Sequence, residues 1–275
     1  MSKSLSALRA VKLKIAGIVV ELLSGDVALL RALAGRYLGF TTQQPAQLTL
    51  QVEWVGQLRS IEAGFPDVQF WSNGVRLSAP GYDGCIDLET QRAVLTLSSA
   101  NPVEEVEYFL RVIYAVLAFE AGGLMVHAAG VVRNERAYVF LGHSGSGKTT
   151  VARLSEDCQV LNDDLLVLWP EQASWIVYGT PFWNPTQVKP GGQHAALTML
   201  LRLVQDQQVS LVALSLAQAV AEMVANVPVI SADAGRSQQV LQRCFSIVRS
   251  VPGYSLHFLP EPSFWRVIRE VEGEF

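Results

Sequence analysis

Leu141-Gly142-His143-Ser144-Gly145-Ser146-Gly147-Lys148-Thr149-Thr150 is the stretch from which the rest of the chain can be read. It fits G-x-x-x-x-G-K-[ST], the pattern of a phosphate-binding loop. Gly142, Gly145 and Gly147 let the backbone turn through positive φ and come close to an anion. Successive N–H groups from position 142 to 150 then point inward and form an anion-binding nest. Lys148 reaches the β- and γ-phosphates, and the Thr149 hydroxyl can hold Mg²⁺. Upstream, Arg136 to Leu141 reads as a short apolar strand; downstream, Thr149 to Leu154 reads as a helix. Strand, loop and helix in that order are the context the motif requires. The guanine-reading N-K-x-D signature is absent, which favours ATP.

Composition sets the frame around this loop. The 275 residues are 50% hydrophobic and 17% charged, enough for a sizeable core in one large or two modest domains. A net charge of −4 gives no electrostatic footprint for nucleic acid. Cys85, Cys158 and Cys244 are odd in number and far apart. They make neither a disulfide framework nor a zinc spacing, so a reducing cytoplasm is the expected home. Lys3, Arg9, Lys12 and Lys14 before Ile15–Val20 mimic a signal peptide weakly, but Glu21 closes the apolar run. No run of eighteen apolar residues predicts a membrane span. The oligomeric state is left open, with a homo-oligomer allowed.

The first 120 residues read as a mostly antiparallel, β-rich region ending in a long helix, and residues 121–275 as the catalytic domain. Residues 11–22 read as a strand, Val27–Leu33 as a short helix and Gln47–Val55 as a half-buried strand. Asn73-Gly74 predicts a hairpin with a type I′ turn. Cys85–Leu88 and Ala93–Leu97 form another strand pair. Asp83, Asp87 and Glu89 read as solvated charges rather than ligands. Ser99-Ala100-Asn101-Pro102 starts the long helix, with Asn101 as cap and Pro102 in first position. Val103, Val106, Leu110, Ile113 and Leu117 make its apolar stripe, and Gly122-Gly123 ends it.

Beyond residue 120, Leu124–Val132 is a buried strand that carries His127. After the loop helix come a short strand, Gln159–Leu161, then Asn162-Asp163-Asp164, then a strand pair at Leu165–Trp169 and Trp175–Tyr178. Gly179–Gly192 is a long Gly/Pro-rich loop of the kind that forms lids. The last third is expected to be mainly helical, at 194–204, 215–225 and 236–250, with a strand at Tyr254–Leu259 and a helix at Ser263–Val271.

Asp163-Asp164 supplies the second half of a site. Mg²⁺ at a nucleotide is held by one or two carboxylates plus phosphate oxygens. A transferring kinase also needs a group that takes the acceptor hydroxyl's proton. One carboxylate of the pair can hold metal while the other orients the nucleophile. A capped turn, with Asn and Asp bonding local backbone, is the plain structural alternative. A lone His on an apolar strand is more commonly a core residue, and His127 by itself says little.

Val126-His127-Ala-Ala-Gly130, Gly142–Thr149 and Leu161-Asn-Asp163-Asp164, in this order, resemble the catalytic core of HPr kinase/phosphorylase and its relatives. The resemblance covers about residues 121–182. It implies an α/β (α+β) fold with a phosphoenolpyruvate carboxykinase-like core built on a mixed sheet. It also implies roles: Lys148 on phosphate, Thr149 and Asp164 on Mg²⁺, Asp163 as base toward a seryl hydroxyl, His127 beside the phosphates. The family's Glu-Ile-Arg-Gly signature has no match; Lys189-Pro-Gly-Gly-Gln-His194 stands in its place. The implied acceptor is therefore something other than HPr, such as the serine of a precursor peptide. The expected function is an ATP- and Mg²⁺-dependent kinase acting on a peptide or protein hydroxyl. The alternatives are a small-molecule enzyme of the same fold, such as a free-serine kinase or a carboxykinase-like catalyst, and a nucleotide-binding scaffold.

Overall fold

A computed structural model describes residues 10–55, 67–98, 101–155, 157–172, 174–183, 188–190 and 192–273. Lys3 and Arg9, the helix lead-in Ser99-Ala100, and residues 184–187 and 191 of the expected lid lie outside the described residues. The chain divides into two compact units, Met1–Tyr114 and Ala115–Phe275.

In the first unit, β1 (Ala10–Ile15), β2 (Ile18–Ser24), β3 (Leu48–Trp54), β4 (Asp67–Trp71), β5 (Gly74–Ala79), β6 (Tyr82–Asp87) and β7 (Arg92–Leu97) form one sheet. Their order is β1-β2-β3-β7-β6-β5-β4. The β2–β3 and β3–β7 ladders are parallel and the others antiparallel. The single strand expected over 11–22 is in fact a hairpin. Ala16 and Gly17 take φ of 48° and 83° and fold β1 back on β2. The β4–β5 hairpin exists, but Trp71 pairs with Gly74, so its two-residue turn is Ser72-Asn73. Neither has positive φ, so it is not the type I′ turn that Asn-Gly predicts.

Helix α1 (Val27–Arg36) is capped by Asp26, whose carboxylate accepts from the amides of Ala28 and Leu29. It buries Leu29, Leu30 and Leu33. Helix α2 (Pro102–Glu120) is buried nearly all round from Phe109 to Phe119. The Phe109 ring lies so close to Gly84 that a Cβ there would sit 2.3 Å from it. The Tyr114 hydroxyl donates to the Leu13 carbonyl at 2.7 Å. Buried Glu107 accepts from Arg36, Tyr37 and Arg111 at 2.5, 3.0 and 2.9 Å, which satisfies a carboxylate that would otherwise be costly. Asp83, read as a solvated charge, is tied to Arg76 and Ser78.

The second unit is a mixed eight-stranded sheet. Its strands are β8 (Leu124–Arg133), β9 (Arg136–Leu141), β10 (Gln159–Asn162), β11 (Leu165–Glu171), β12 (Ser174–Gly179), β13 (His194–Gln205), β14 (Ser210–Ala213) and β15 (Gly253–Phe258). The two longest strands change partners part-way. β8 pairs with β11 through its first half and with β9 and β10 through its second. β13 pairs in turn with β12, β9 and β15. The ladders β8–β9–β13–β12–β11–β8 therefore close on themselves. The β13–β9 and β13–β15 ladders are parallel and the rest antiparallel. The turn Asn134-Glu135 between β8 and β9 has φ of 50° and 63°, the left-handed pair a tight hairpin needs.

Helices α3 (Lys148–Arg153), α4 (Leu216–Ala225), α5 (Ser237–Ser250) and α6 (Phe264–Glu272) complete this unit. Ser215 and Gln218 form a capping box on α4. The helix expected at 194–204 is strand β13. Its residues Ala195, Leu197, Leu200 and Leu203 favour helix locally, but Leu197, Met199, Leu200, Leu201 and Leu203 are all buried between paired neighbours. An apolar run of that kind suits a buried strand as well as a buried helix, and here tertiary pairing decides. β14 had no counterpart in the sequence reading. On one face Phe140, Val151, Leu201, Phe258, Phe264 and Trp265 form the core that holds β9 and α3 in place.

Candidate functional site

The glycine-rich loop expected to bind phosphate runs from the end of β9 into α3 as strand, loop and helix. Gly142, Gly145 and Gly147 have φ of 150°, 80° and 110°, values that L side chains avoid. Gly147 is needed twice over, since a Cβ there would also meet the Phe258 ring at 2.5 Å. The helix begins at Lys148 and is only six residues long.

Lys148 is 7% exposed, and its ammonium donates to the carbonyls of Gly142 at 2.7 Å and His143 at 3.1 Å. Burial pulls its pKa below the ordinary lysine value, while Asp164, Asp163 and Glu222 pull it back up. Gln205, the last residue of β13, donates its amide to the Gly145 carbonyl at 2.9 Å and so braces the far side of the loop. His143 is exposed, with its ring against the Ser144 carbonyl.

Between β10 and β11 the acidic pair is presented by Asn162, which is fully buried. Its Oδ1 accepts from the amides of Asp164 at 2.6 Å and Leu165 at 3.1 Å. Its Nδ2 donates to the carbonyls of Thr180 at 2.8 Å and Phe182 at 2.9 Å. The capping work that a turn demands thus falls to Asn162, and the two aspartates are released from it.

Asp163 is 1% exposed, and neither of its carboxylate oxygens has a well-formed hydrogen bond among the described residues. Burial raises its pKa above the ordinary aspartate value. The Thr149 hydroxyl and the Val188 amide oppose this from looser geometry, and Asp164 adds to it. Asp164 accepts a contact from His127 Nε2 at 3.0 Å, while its carbonyl accepts the Ala128 amide. Gly130 lies where a Cβ would meet Leu166 at 2.9 Å, which keeps β8 close to β11.

These side chains border one cavity of about 330 Å³, lined by His127, Ser144, Gly145, Gly147, Lys148, Thr149, Thr150, Asp163, Asp164 and Gln205. Gly142, His143 and Ser146 border the neighbouring cavity instead. Gln205 carries no motif signal in the sequence, where residues 194–204 before it read as a helix. Asn162 was visible there only as part of an Asn-Asp-Asp turn. His194 stacks on Tyr178 and His257 pairs with Asp206, and neither His lines this cavity. Thr149 with Asp163, His127 with Asp164, is a grouping that the motifs alone do not give. A cation fits the cavity in one respect that can be checked: a buried carboxylate held only by loose contacts among the described residues gains from a positive charge or a proton donor.

With the geometry in hand, comparison with known proteins adds a family. A family model described as "SynChlorMet cassette protein ScmC" matches residues 97–272, well over half of the chain. The chain belongs to the ScmC family. The match begins before α2 and takes in the whole of β8 to β15, the loop and the acidic pair. No curated protein matches the chain in sequence. Among solved structures, the HPr(Ser) kinase/phosphatase from Coxiella burnetii is similar at 10% identity, with a TM-score of 0.32. That alignment covers 55% of this chain and 97% of the other. Among the described residues no helix is long and apolar enough to cross a membrane.

Proposed function

We propose that this chain is an ATP- and Mg²⁺-dependent kinase that transfers the γ-phosphoryl group to a serine-type hydroxyl of a peptide or protein. The observation that carries this reading is Asp163, buried and without a well-formed hydrogen bond among the described residues, beside Lys148 and Thr149 in a cavity bordered by the glycine-rich loop. A binding-only module has no use for such a group. It is costly to the fold, and it suits a site that brings its own cation and hydroxyl.

Lys148 leaves the carbonyls of Gly142 and His143 for the β- and γ-phosphates, where its charge is worth most as the transferred group loosens. Thr149 and Asp164 would hold Mg²⁺, which would neutralise phosphate charge and orient the triphosphate. Asp163 accepts the proton of the acceptor hydroxyl as its oxygen attacks the γ-phosphorus. The bond from that phosphorus to the β-phosphate oxygen breaks, and ADP leaves. A raised carboxylate pKa suits this role, because a proton acceptor works best when its pKa approaches the working pH. His127, anchored through Asp164, stands at the phosphate edge as a hydrogen-bond donor.

Two variants test the assignment. Asp163→Asn should lower kcat by roughly 10²–10⁴-fold with the Kd for Mg-ATP little changed. Asp164→Asn should raise the Mg²⁺ concentration needed for half-maximal rate, with a smaller loss at saturation. The opposite pattern would exchange their roles, and undiminished transfer by Asp163→Asn would remove its role altogether. Acceptors encoded with this chain are the first to offer.

A further inference from the structure

Three cavities lie along the phosphate loop, and Gln205 borders all of them. The middle one is the 330 Å³ space just described. A second, of about 250 Å³, leads past Gly147 and Thr150 onto Phe258 and Pro260. The third and largest, of about 490 Å³, lies against Gly142, His143 and Gly145, between the end of β13 and the C-terminal turn of α4.

A phosphate loop fixes the direction of its ligand. Its amides cradle the α- and β-phosphates, and its lysine reaches the β- and γ-phosphates. With Lys148 on the β- and γ-phosphates, Thr150, which borders both the middle and the second cavity, would take the α-phosphate end. The nucleoside then leaves toward Phe258 and Pro260, apolar surfaces on which a flat ring can rest. The third cavity is left on the γ-phosphate side. Asn226, on its border, accepts the His127 amide at 2.7 Å and so ties it to the end of the site where transfer occurs.

We infer that the third cavity seats the acceptor, and that this acceptor is a peptide with a carboxylate beside its hydroxyl-bearing residue, read by Arg202. The inference rests on the kinase reading above. Arg202 Nε stands 3.6 Å from Glu222 Oε2, an ion pair too long for a hydrogen bond. Glu222 also takes the Asn226 side-chain amide at 3.3 Å and is 21% exposed, whereas Arg202 is 44% exposed. The guanidinium is therefore the member of the pair that faces a ligand, and its planar fork suits a carboxylate. Ser146, 4% exposed on the same cavity, has a hydroxyl with no partner among the described residues. That hydroxyl is satisfied once a polar backbone group lies over it. The volume falls within the roughly 300–1,000 Å³ that drug-sized ligands occupy, so a free amino acid would leave most of it empty.

The probes are three serine heptapeptides, with Asp, Ala or Lys beside the serine, and free L-serine. The full chain is assayed with Mg-ATP, and nucleotide Kd is measured in parallel. The Asp peptide should exceed the Lys peptide by about tenfold in kcat/KM. Arg202→Gln should abolish that preference and Arg202→Glu should invert it, each with less than a twofold change in nucleotide Kd. A preference that survives both variants overturns the inference. So does free L-serine used as well as the best peptide, or a nucleotide Kd that weakens along with the preference. If Mg-ATP binds and an acceptor encoded with this chain takes phosphate but none of these probes does, the inference falls alone; if none of them takes phosphate, the kinase reading falls with it.

Discussion

Asp163 shows at the scale of one residue how a site can work against its own fold. Its carboxyl titrates above the ordinary aspartate value because burial disfavours the charge. A raised folded-state value means the folded chain binds the proton more tightly than the unfolded one. Below the unfolded value, near 3.8, the group is neutral in both states and costs nothing through charge. As pH rises through the folded value that advantage is lost, so the metal-free protein should weaken toward neutrality. Asp163→Asn, which removes the charge and keeps the shape, should therefore be more stable than the parent at pH 7 by on the order of 1 kcal/mol. The gap should shrink as pH falls toward 4. Urea titrations of both proteins without metal or nucleotide, at several pH values, measure it. A variant less stable than the parent at pH 7 would mean that Asp163 has a stabilising partner.

At the scale of elements, the β10–β11 turn depends on Asn162 rather than on the aspartates it displays. Asn162→Ala would leave the amides of Asp164 and Leu165 and the carbonyls of Thr180 and Phe182 without that partner in a buried setting. A loss of about 2–4 kcal/mol is expected, with C_m lowered and the urea m-value little changed. The same scale explains what could be read from sequence and what could not. The loop, its feeding strand β9, the Asn134-Glu135 turn and the capped α1 were legible because local chemistry dictates them. Strand β13 was not, since its Leu- and Ala-rich run carries helix preference and becomes a strand only through three different partners. Gln205 was lost with it, because its importance comes from the neighbour that β13 places beside Gly145. The β1–β2 hairpin hid behind an Ala-Gly turn inside a continuous apolar alternation.

At the scale of the whole molecule, a ligand that binds the folded state alone must raise the melting temperature. Mg-ATP at a hundred times its Kd should add about 2.7 kcal/mol to the unit that holds the loop. Differential scanning calorimetry with Mg-ATP, ATP without metal, and GTP measures this. A shift with Mg-ATP that Lys148→Ala abolishes is the expected result. No shift at saturating nucleotide would remove the cofactor assignment. The melting of residues 10–114 should respond less, because the cavity residues all belong to the second unit.

The ammonium of Lys148, on the carbonyls of Gly142 and His143, works as a clasp across the mouth of the loop. The tie joins the first residue of the helix to the first two residues of the loop, so the loop's curvature is fixed from both ends. Lys148→Met should lose that tie between the two ends of the loop, which hydrogen exchange at the amides of residues 142–147 would register as faster opening.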